Sequence, residues 1–204
     1  LAFYDAIAPI VEADSIAMEG PGAAYAMSRW GKGDGSDYLN CPLDRDQYAA
    51  FLAAMRDADR VHAKELEELH YFDGCLPLEV MAERGDDTLR FGPMKPVGLE
   101  HPVTGKRFFA VVQLRKEDVH GTAYNLVGCQ TRMKQPEQKR VFSLVPALKD
   151  ARFLRYGAIH RNTYLDAPTL FDDSNRLHGY PKLWFAGQIT GVEGYVESTA
   201  SGLV

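Results

Sequence analysis

Apolar positions along this chain follow two different periods, and each predicts its own kind of element. Phe51, Leu52 and Met55 recur at the three- and four-residue spacing that gathers side chains on one face of a helix. Asp44 stands just ahead of them with Gln47 three residues on, the arrangement of a capping box, so the spacing predicts a helix over residues 45–59. A second, shorter helix is predicted after Cys75, because Pro77 suits its first turn and Gly85 the position just past its last. Elsewhere the apolar residues run together or alternate as strands do. Residues 4–16 read as turn and short strands, residues 108–114 and 124–131 as strands, residues 101–106 as a loop, and residues 154–160 as further strands. The glycine-rich residues 20–37 read as a connection between domains.

The end of the chain carries the strongest pattern. Residues 183–186, Leu-Trp-Phe-Ala, are short and apolar enough for a buried strand, and Gly187, Gly191 and Gly194 follow, where backbone can approach a ligand closely. The next helix would turn its first N–H groups toward whatever occupies the turn, favouring an anion or an electron-rich ring edge. This is the order of the closing strand, turn and helix of a flavin-binding domain, and equally of any such unit in an α/β domain. No Gly-x-Gly-x-x-Gly segment occurs in the sequence, and residues 198–204 form a short small-residue helix expected to stop without a cap. The chain is therefore expected to be the second half of a larger flavoenzyme, and by itself to bind FAD poorly and to be inactive.

Composition narrows the class without naming the chemistry. With 46% hydrophobic and 25% charged residues in 204, the sequence is ordinary globular material, enough for one large domain or parts of two. No apolar run approaches the roughly 18 residues of a membrane span, and the first residues do not form a signal peptide, so the expected compartment is the cytoplasm. The net charge of −5 is unevenly spread. Residues 84–140 hold eleven Lys and Arg against six Asp and Glu, a local +5 that leaves −10 for the remainder. A basic middle in an acidic chain suggests a polyanion, with Phe91, Phe108, Phe109 and Tyr124 as possible stacking surfaces for unpaired bases; a solvated face over core aromatics accounts for the same pattern.

Three cysteines at wide spacing, with no Cys-x-x-Cys pair, indicate free thiols rather than a disulfide framework or a zinc site. Cys75 stands two residues before Pro77, where the partial positive charge of a helix N-terminus would stabilise a thiolate and make a nucleophile; the alternative is an inert buried thiol. Cys41 reads as a turn residue and a weaker candidate, and Cys129 as packing within an apolar strand.

Seven segments in order carry a resemblance over essentially the whole chain: those beginning at Tyr4 (Tyr-Asp-Ala-Ile-Ala-Pro-Ile-Val), Tyr38 (Tyr-Leu-Asn-Cys-Pro), Gly74 (Gly-Cys-Leu-Pro-Leu-Glu-Val-Met-Ala-Glu-Arg-Gly), Thr88 (Thr-Leu-Arg-Phe-Gly-Pro-Met-Lys-Pro-Val-Gly-Leu), Tyr124 (Tyr-Asn-Leu-Val-Gly), His160 (His-Arg-Asn-Thr-Tyr) and Phe185 (Phe-Ala-Gly-Gln-Ile-Thr-Gly-Val-Glu-Gly-Tyr-Val-Glu-Ser). Together they resemble the folate- and FAD-dependent tRNA (uracil-5-)-methyltransferases. The resemblance implies an α/β fold with an α+β insertion. Residues 1–19 and 150–204 would belong to a glutathione-reductase-like FAD-binding domain and residues 20–149 to an inserted helix-plus-sheet domain that binds tRNA.

It further implies methylation of the T-loop uridine at carbon 5, with methylenetetrahydrofolate giving the carbon and FAD, reduced by NADPH or NADH, giving the electrons. Cys75 matches the family nucleophile that adds to carbon 6 of uracil; Gly187, Gln188, Gly191, Val192, Glu193 and Gly194 match its C-terminal flavin contacts. Arg84, Arg90, Lys95, Arg115, Arg132 and Lys134 of the basic stretch are the candidate RNA contacts. Two rivals share parts of this pattern: the wobble-uridine-modifying flavoprotein that also uses folate, which is longer and has a helical C-terminal domain, and a non-catalytic RNA-binding module. Ribosomal RNA is a further possible target of the same chemistry.

Overall fold

The computed structural model describes residues 1–32, 35–61, 76–192 and 194–203, and shows mixed helix and sheet. It divides into two compact units, a larger one of Asp5–Glu67 and Phe72–His160 and a smaller one that includes Leu1–Tyr4 and Arg161–Val204. Among the described residues no helix is long and apolar enough to cross a membrane. Strand β1 (Ala2–Ile7) pairs with β8 (Ala158–Thr163).

The larger unit is built on a six-stranded antiparallel sheet. Its strands are β2 (Ile10–Glu12), β3 (Tyr25–Ala26), β4 (Tyr38–Leu43), β5 (Ala110–Lys116), β6 (Ala123–Leu126) and β7 (Phe153–Arg155), in the spatial order β3-β4-β5-β6-β2-β7. The longest ladder joins β4 to β5 with Cys41 opposite Val112. Both strands are mostly buried, which is why residues 110–114 read as an apolar run instead of an alternation. The strand expected from residue 108 begins at Ala110, leaving Phe108 and Phe109 half-buried ahead of it. The one expected over 124–131 ends at Leu126, where the chain turns and the Cys129 N–H bonds back to the Leu126 carbonyl at 3.1 Å.

Helix α1 (Arg45–Asp57) carries the capping box in full: the Gln47 N–H donates to the Asp44 carboxylate at 2.8 Å, and the Asp44 N–H donates to the Gln47 side chain at 2.9 Å. It ends two residues earlier than the spacing predicts because Ala58 is already extended. Phe51, Leu52 and Met55 are buried as expected, and the Phe51 ring lies 6.0 Å from Phe142 of α4 (Gln135–Phe142). Helix α2 (Leu78–Glu83) starts one residue later than predicted, with Pro77 as its extended N-cap, and α3 (Thr88–Phe91) follows. The described residues of the glycine-rich connection, 20–32 and 35–37, lie inside this unit and contribute β3 and a 3-10 turn at Arg29–Gly31, so they do not link two units. They are tied down by the buried Asn40, whose amide donates to the carbonyls of Tyr25 (3.3 Å) and Met27 (2.8 Å) and accepts from Gln113 (3.0 Å).

The smaller unit contains α5 (Ala167–Leu170), a hairpin bridged at Phe171–Leu177 and Arg176–Trp184, a 3-10 turn at Gly187–Thr190 and α6 (Tyr195–Ser201). Two expectations are corrected here. Residues 183–186 do not form a buried strand: Trp184 makes a single bridge, and it and Leu183 are 56% and 43% exposed, while Phe185, half-buried, stacks on Phe171 at 5.1 Å. The terminal helix does have a cap, Gly202, whose N–H bonds back to Thr199 at 3.1 Å.

Candidate functional site

Cys75 and Glu193 lie outside the described residues. What surrounds α2, the helix that follows Cys75, is well defined. Its first N–H, from Leu78, donates to the Gln130 carbonyl at 2.8 Å, pinning the helix start to residues 129–133. One residue on, Glu79 is fully buried. The Thr131 hydroxyl donates to one oxygen of its carboxyl and accepts the Met133 N–H at 3.0 Å. Among the described residues the second carboxyl oxygen has no hydrogen-bond partner, and neither has the buried Nε of Arg132.

Desolvation raises the Glu79 pKa, against the Thr131 hydrogen bond and the charge of Arg60, which act the other way. The carboxyl therefore holds its proton to higher pH in the folded protein than in the unfolded chain. Below the ordinary 4.5 both states are protonated; above it the unfolded chain alone releases the proton, so stability falls as pH rises until the folded carboxyl ionises as well. Glu79→Gln keeps the hydrogen bond and cannot ionise. It is expected to remove this slope, so that thermal unfolding shows the variant gaining on the wild type between about pH 4 and pH 7. A variant that loses ground over that interval would show Glu79 to be held as a carboxylate. Sequence reading passed over Glu79; the available signal was an acid one position from Leu78 and three from Ala82, both buried on the same short helix.

The two described cysteines are free and fully buried. Cys41 sits in the middle of β4, not in a turn, and burial raises its thiol; burial pushes Cys129 up to about 12, with the nearby Glu79 adding to the rise. Both are packing residues, as expected for Cys129.

The glycine-rich turn of the smaller unit has the shape its sequence suggests. Gly191 (φ +83) and Gly194 (φ +90) adopt left-handed conformations that side chains rarely tolerate, so the turn presents bare backbone. The Gly187 N–H donates to the Ser201 hydroxyl at 2.7 Å, joining the turn to α6, and Gln188 donates to Asn162 on β8 at 2.8 Å. Gln188 is exposed and Val192 half-buried. Tyr164 lies against Gly191 and the Glu197 carboxylate against Gly194.

The six basic candidates all belong to the larger unit, where Arg84, Lys95, Arg115 and Lys134 are exposed and Arg90 and Arg132 half-buried. Arg90 pairs with Asp87 at 3.2 Å and stacks over Phe91 (4.8 Å) and Phe109 (4.1 Å); Lys134 pairs with Asp59 at 3.1 Å. Of the aromatics read as stacking surfaces, Phe91 is 71% exposed, whereas Tyr124 is in the core, at one of the alternate positions of β6 that are buried. A cleft of about 760 Å3 in the same unit is lined by residues 18–25, 101–103 and 107–109 among others, with Tyr25 and His101 5.4 and 5.8 Å from the Phe108 ring and Arg107 beside them. Its walls can stack a planar ring and pair with an anion. Among the described residues no group of three His, Cys, Asp or Glu is placed to hold a metal ion.

This mixed fold and its glycine turn define a known class: the sequence matches the family of glucose inhibited division protein A over residues 1–204, and the chain belongs to that family. The solved structures of Aquifex aeolicus GidA in two crystal forms share the fold, with TM-scores of 0.57 and 0.58 over the whole chain at 12% and 14% identity, the chain covering 31% and 33% of theirs. Within the class, the chain is similar to methylenetetrahydrofolate–tRNA-(uracil-5-)-methyltransferase TrmFO of Geotalea daltonii (58% identity over 204 residues) and of Anaeromyxobacter sp. (61% over 203). The protein of that name from Geobacter sulfurreducens is 55% identical over 204 residues. The chain spans less than half the length of these curated relatives, 44–46%.

Proposed function

We propose that the protein carrying this chain is a flavin-dependent RNA methyltransferase that converts the T-loop uridine of tRNA to 5-methyluridine, acting in the cytoplasm. The carbon comes from methylenetetrahydrofolate and the electrons from FAD reduced by NADPH or NADH. The observation that carries this is the 55–61% identity, over 203–204 residues, to proteins named methylenetetrahydrofolate–tRNA-(uracil-5-)-methyltransferase. The likeness to the two solved structures, at 12–14% identity, supports the fold alone.

In this reading the smaller unit takes the flavin-holding role expected of residues 150–204, and the larger unit the RNA-holding role expected of 20–149. Gly187, Gln188, Gly191, Val192 and Gly194, with Glu193, would hold FAD by backbone contact, the left-handed glycines keeping side chains out of its plane. When bound, FAD supplies the electrons that bring the transferred carbon to the methyl level. Cys75 adds through its sulfur to carbon 6 of uracil, leaving carbon 5 electron-rich; once the new carbon is in place, carbon 5 gives up its proton and the sulfur leaves. Arg84, Arg90, Lys95, Arg115, Arg132 and Lys134 would meet phosphates. The net +5 of residues 84–140 supports that assignment.

The test is covalent trapping. The full-length protein, incubated with FAD, reductant, methylenetetrahydrofolate and a T-arm RNA carrying 5-fluorouridine, is expected to form an RNA adduct that survives a denaturing gel. Fluorine blocks loss of the carbon 5 substituent and so preserves the sulfur–carbon bond. RNA that binds without forming an adduct would contradict covalent activation and favour a binding module.

A further inference from the structure

The turn that carries Trp30 is built unlike its surroundings. Trp30 is 68% exposed, yet its backbone sits at φ +62, in the left-handed region that non-glycine residues rarely adopt. The turn is also firmly seated. The Trp30 N–H donates to the Gly98 carbonyl at 3.1 Å, and the Gly31 N–H closes the turn on Ser28 at 3.1 Å. The Arg29 guanidinium donates to the carbonyls of Lys95 (2.9 Å) and Val97 (2.6 Å). Under the indole lies Gly98, where any Cβ would come within 2.9 Å of the ring. One face of the indole is thus fitted to a glycine while most of the side chain stands in solvent.

Burial alone does not produce this arrangement, since a tryptophan gains most by entering the core. Lys32, two residues on in the chain, is exposed, as is Lys95, whose carbonyl anchors the turn, so the indole belongs to a segment that carries exposed cations. A firmly seated, exposed indole with a lysine two residues along the chain matches what a single-stranded nucleic acid needs: a π-face for an unpaired base and positive charge for its backbone.

We propose that Trp30 is a stacking platform for an unpaired base of the RNA substrate, with Lys32 contacting the adjoining phosphate. This rests on the reading of the protein as an RNA-modifying enzyme and adds a contact that lies outside the basic stretch of residues 84–140.

The test uses the full-length protein and a T-arm RNA, with the dissociation constant measured across a salt series for Trp30→Ala, Trp30→Leu, Trp30→Phe and Lys32→Ala. Trp30→Ala is expected to weaken binding by about 5- to 150-fold, the range of one lost base–aromatic stack, with the salt slope unchanged. Trp30→Leu, which keeps apolar area without a ring, should behave like Ala, and Trp30→Phe should recover most of the affinity. Lys32→Ala should instead reduce the salt slope by about 1. Flavin content and the unfolding midpoint should match the wild type in all four. Unchanged affinity in Trp30→Ala overturns the proposal, as does an altered oligomeric state with RNA binding intact, which would make the indole a protein contact. If the wild type methylates the RNA while Trp30→Ala binds it equally well, only this inference fails; if the wild type binds no RNA, the proposed function fails with it.

Discussion

Cys75→Ala in the full-length protein is expected to abolish the 5-fluorouridine adduct and to lower the single-turnover rate of methyl transfer by about three orders of magnitude or more. Carbon 5 of uracil is a weak nucleophile until a group adds at carbon 6. Deleting that group therefore removes the route itself and not merely one stabilising contact. RNA affinity should stay within about twofold of the wild type, because the contacts assigned to binding lie on other residues. Cys75→Ser tests the same point from the other side: a hydroxyl of nearly the same size ionises far too weakly to replace a thiolate, so no rescue is expected. Cys41 and Cys129 cannot substitute, since both are fully buried with raised thiol pKa values. Retained activity in Cys75→Ala would remove the nucleophile assignment.

The second large effect concerns the core. Phe142 has no exposed surface and lies 6.0 Å from the Phe51 ring and 6.3 Å from Phe153, joining α4, α1 and β7. Phe142→Ala leaves a cavity that three elements must collapse to fill, a loss of about 3–5 kcal/mol. In a unit of this size that lowers the thermal midpoint by roughly 6–20 °C. Val103→Ala, at a side chain 86% exposed, should change stability by less than about 0.5 kcal/mol. Equal midpoints for the two variants would show that this contact set is not the centre of the larger unit.

What the sequence disclosed and what it withheld divide along locality. Helix α1 was legible almost to the residue because Asp44, Gln47 and the apolar positions 51, 52 and 55 all act within one short segment. The sheet order was not. Strand β2 lies between β6 and β7, more than a hundred residues away in sequence, and a three-residue strand carries no mark of its partners. Buried polar residues were opaque for the same reason. Gln138 looks like any surface glutamine of a helix. Only the fold brings Met133 and Gly157 to its amide, which donates to their carbonyls at 2.7 and 2.8 Å and accepts the Gly157 N–H at 2.7 Å. Glu79 is hidden likewise, its burial depending on residues 129–133.

The candidate site was legible where backbone chemistry writes it. Left-handed positions at 187, 191 and 194 demand glycine, and glycine is what the sequence shows. The basic stretch was visible as charge, but charge alone could not separate exposed Arg84 and Arg115 from Arg90, which is folded between two rings. Residues 183–186 were misjudged because an apolar run tells that a segment can be buried, not that a neighbour is there to bury it.

The most direct measurement follows the carbon itself. The full-length protein is supplied with unmodified tRNA, FAD, NADPH and methylenetetrahydrofolate labelled with deuterium in its methylene group, and the modified nucleosides are located by mass spectrometry of RNA fragments. The expected result is deuterated 5-methyluridine in the T-loop fragment. Label in the anticodon fragment, or RNA bound without gaining label anywhere, would contradict uracil-5 methylation of the T-loop.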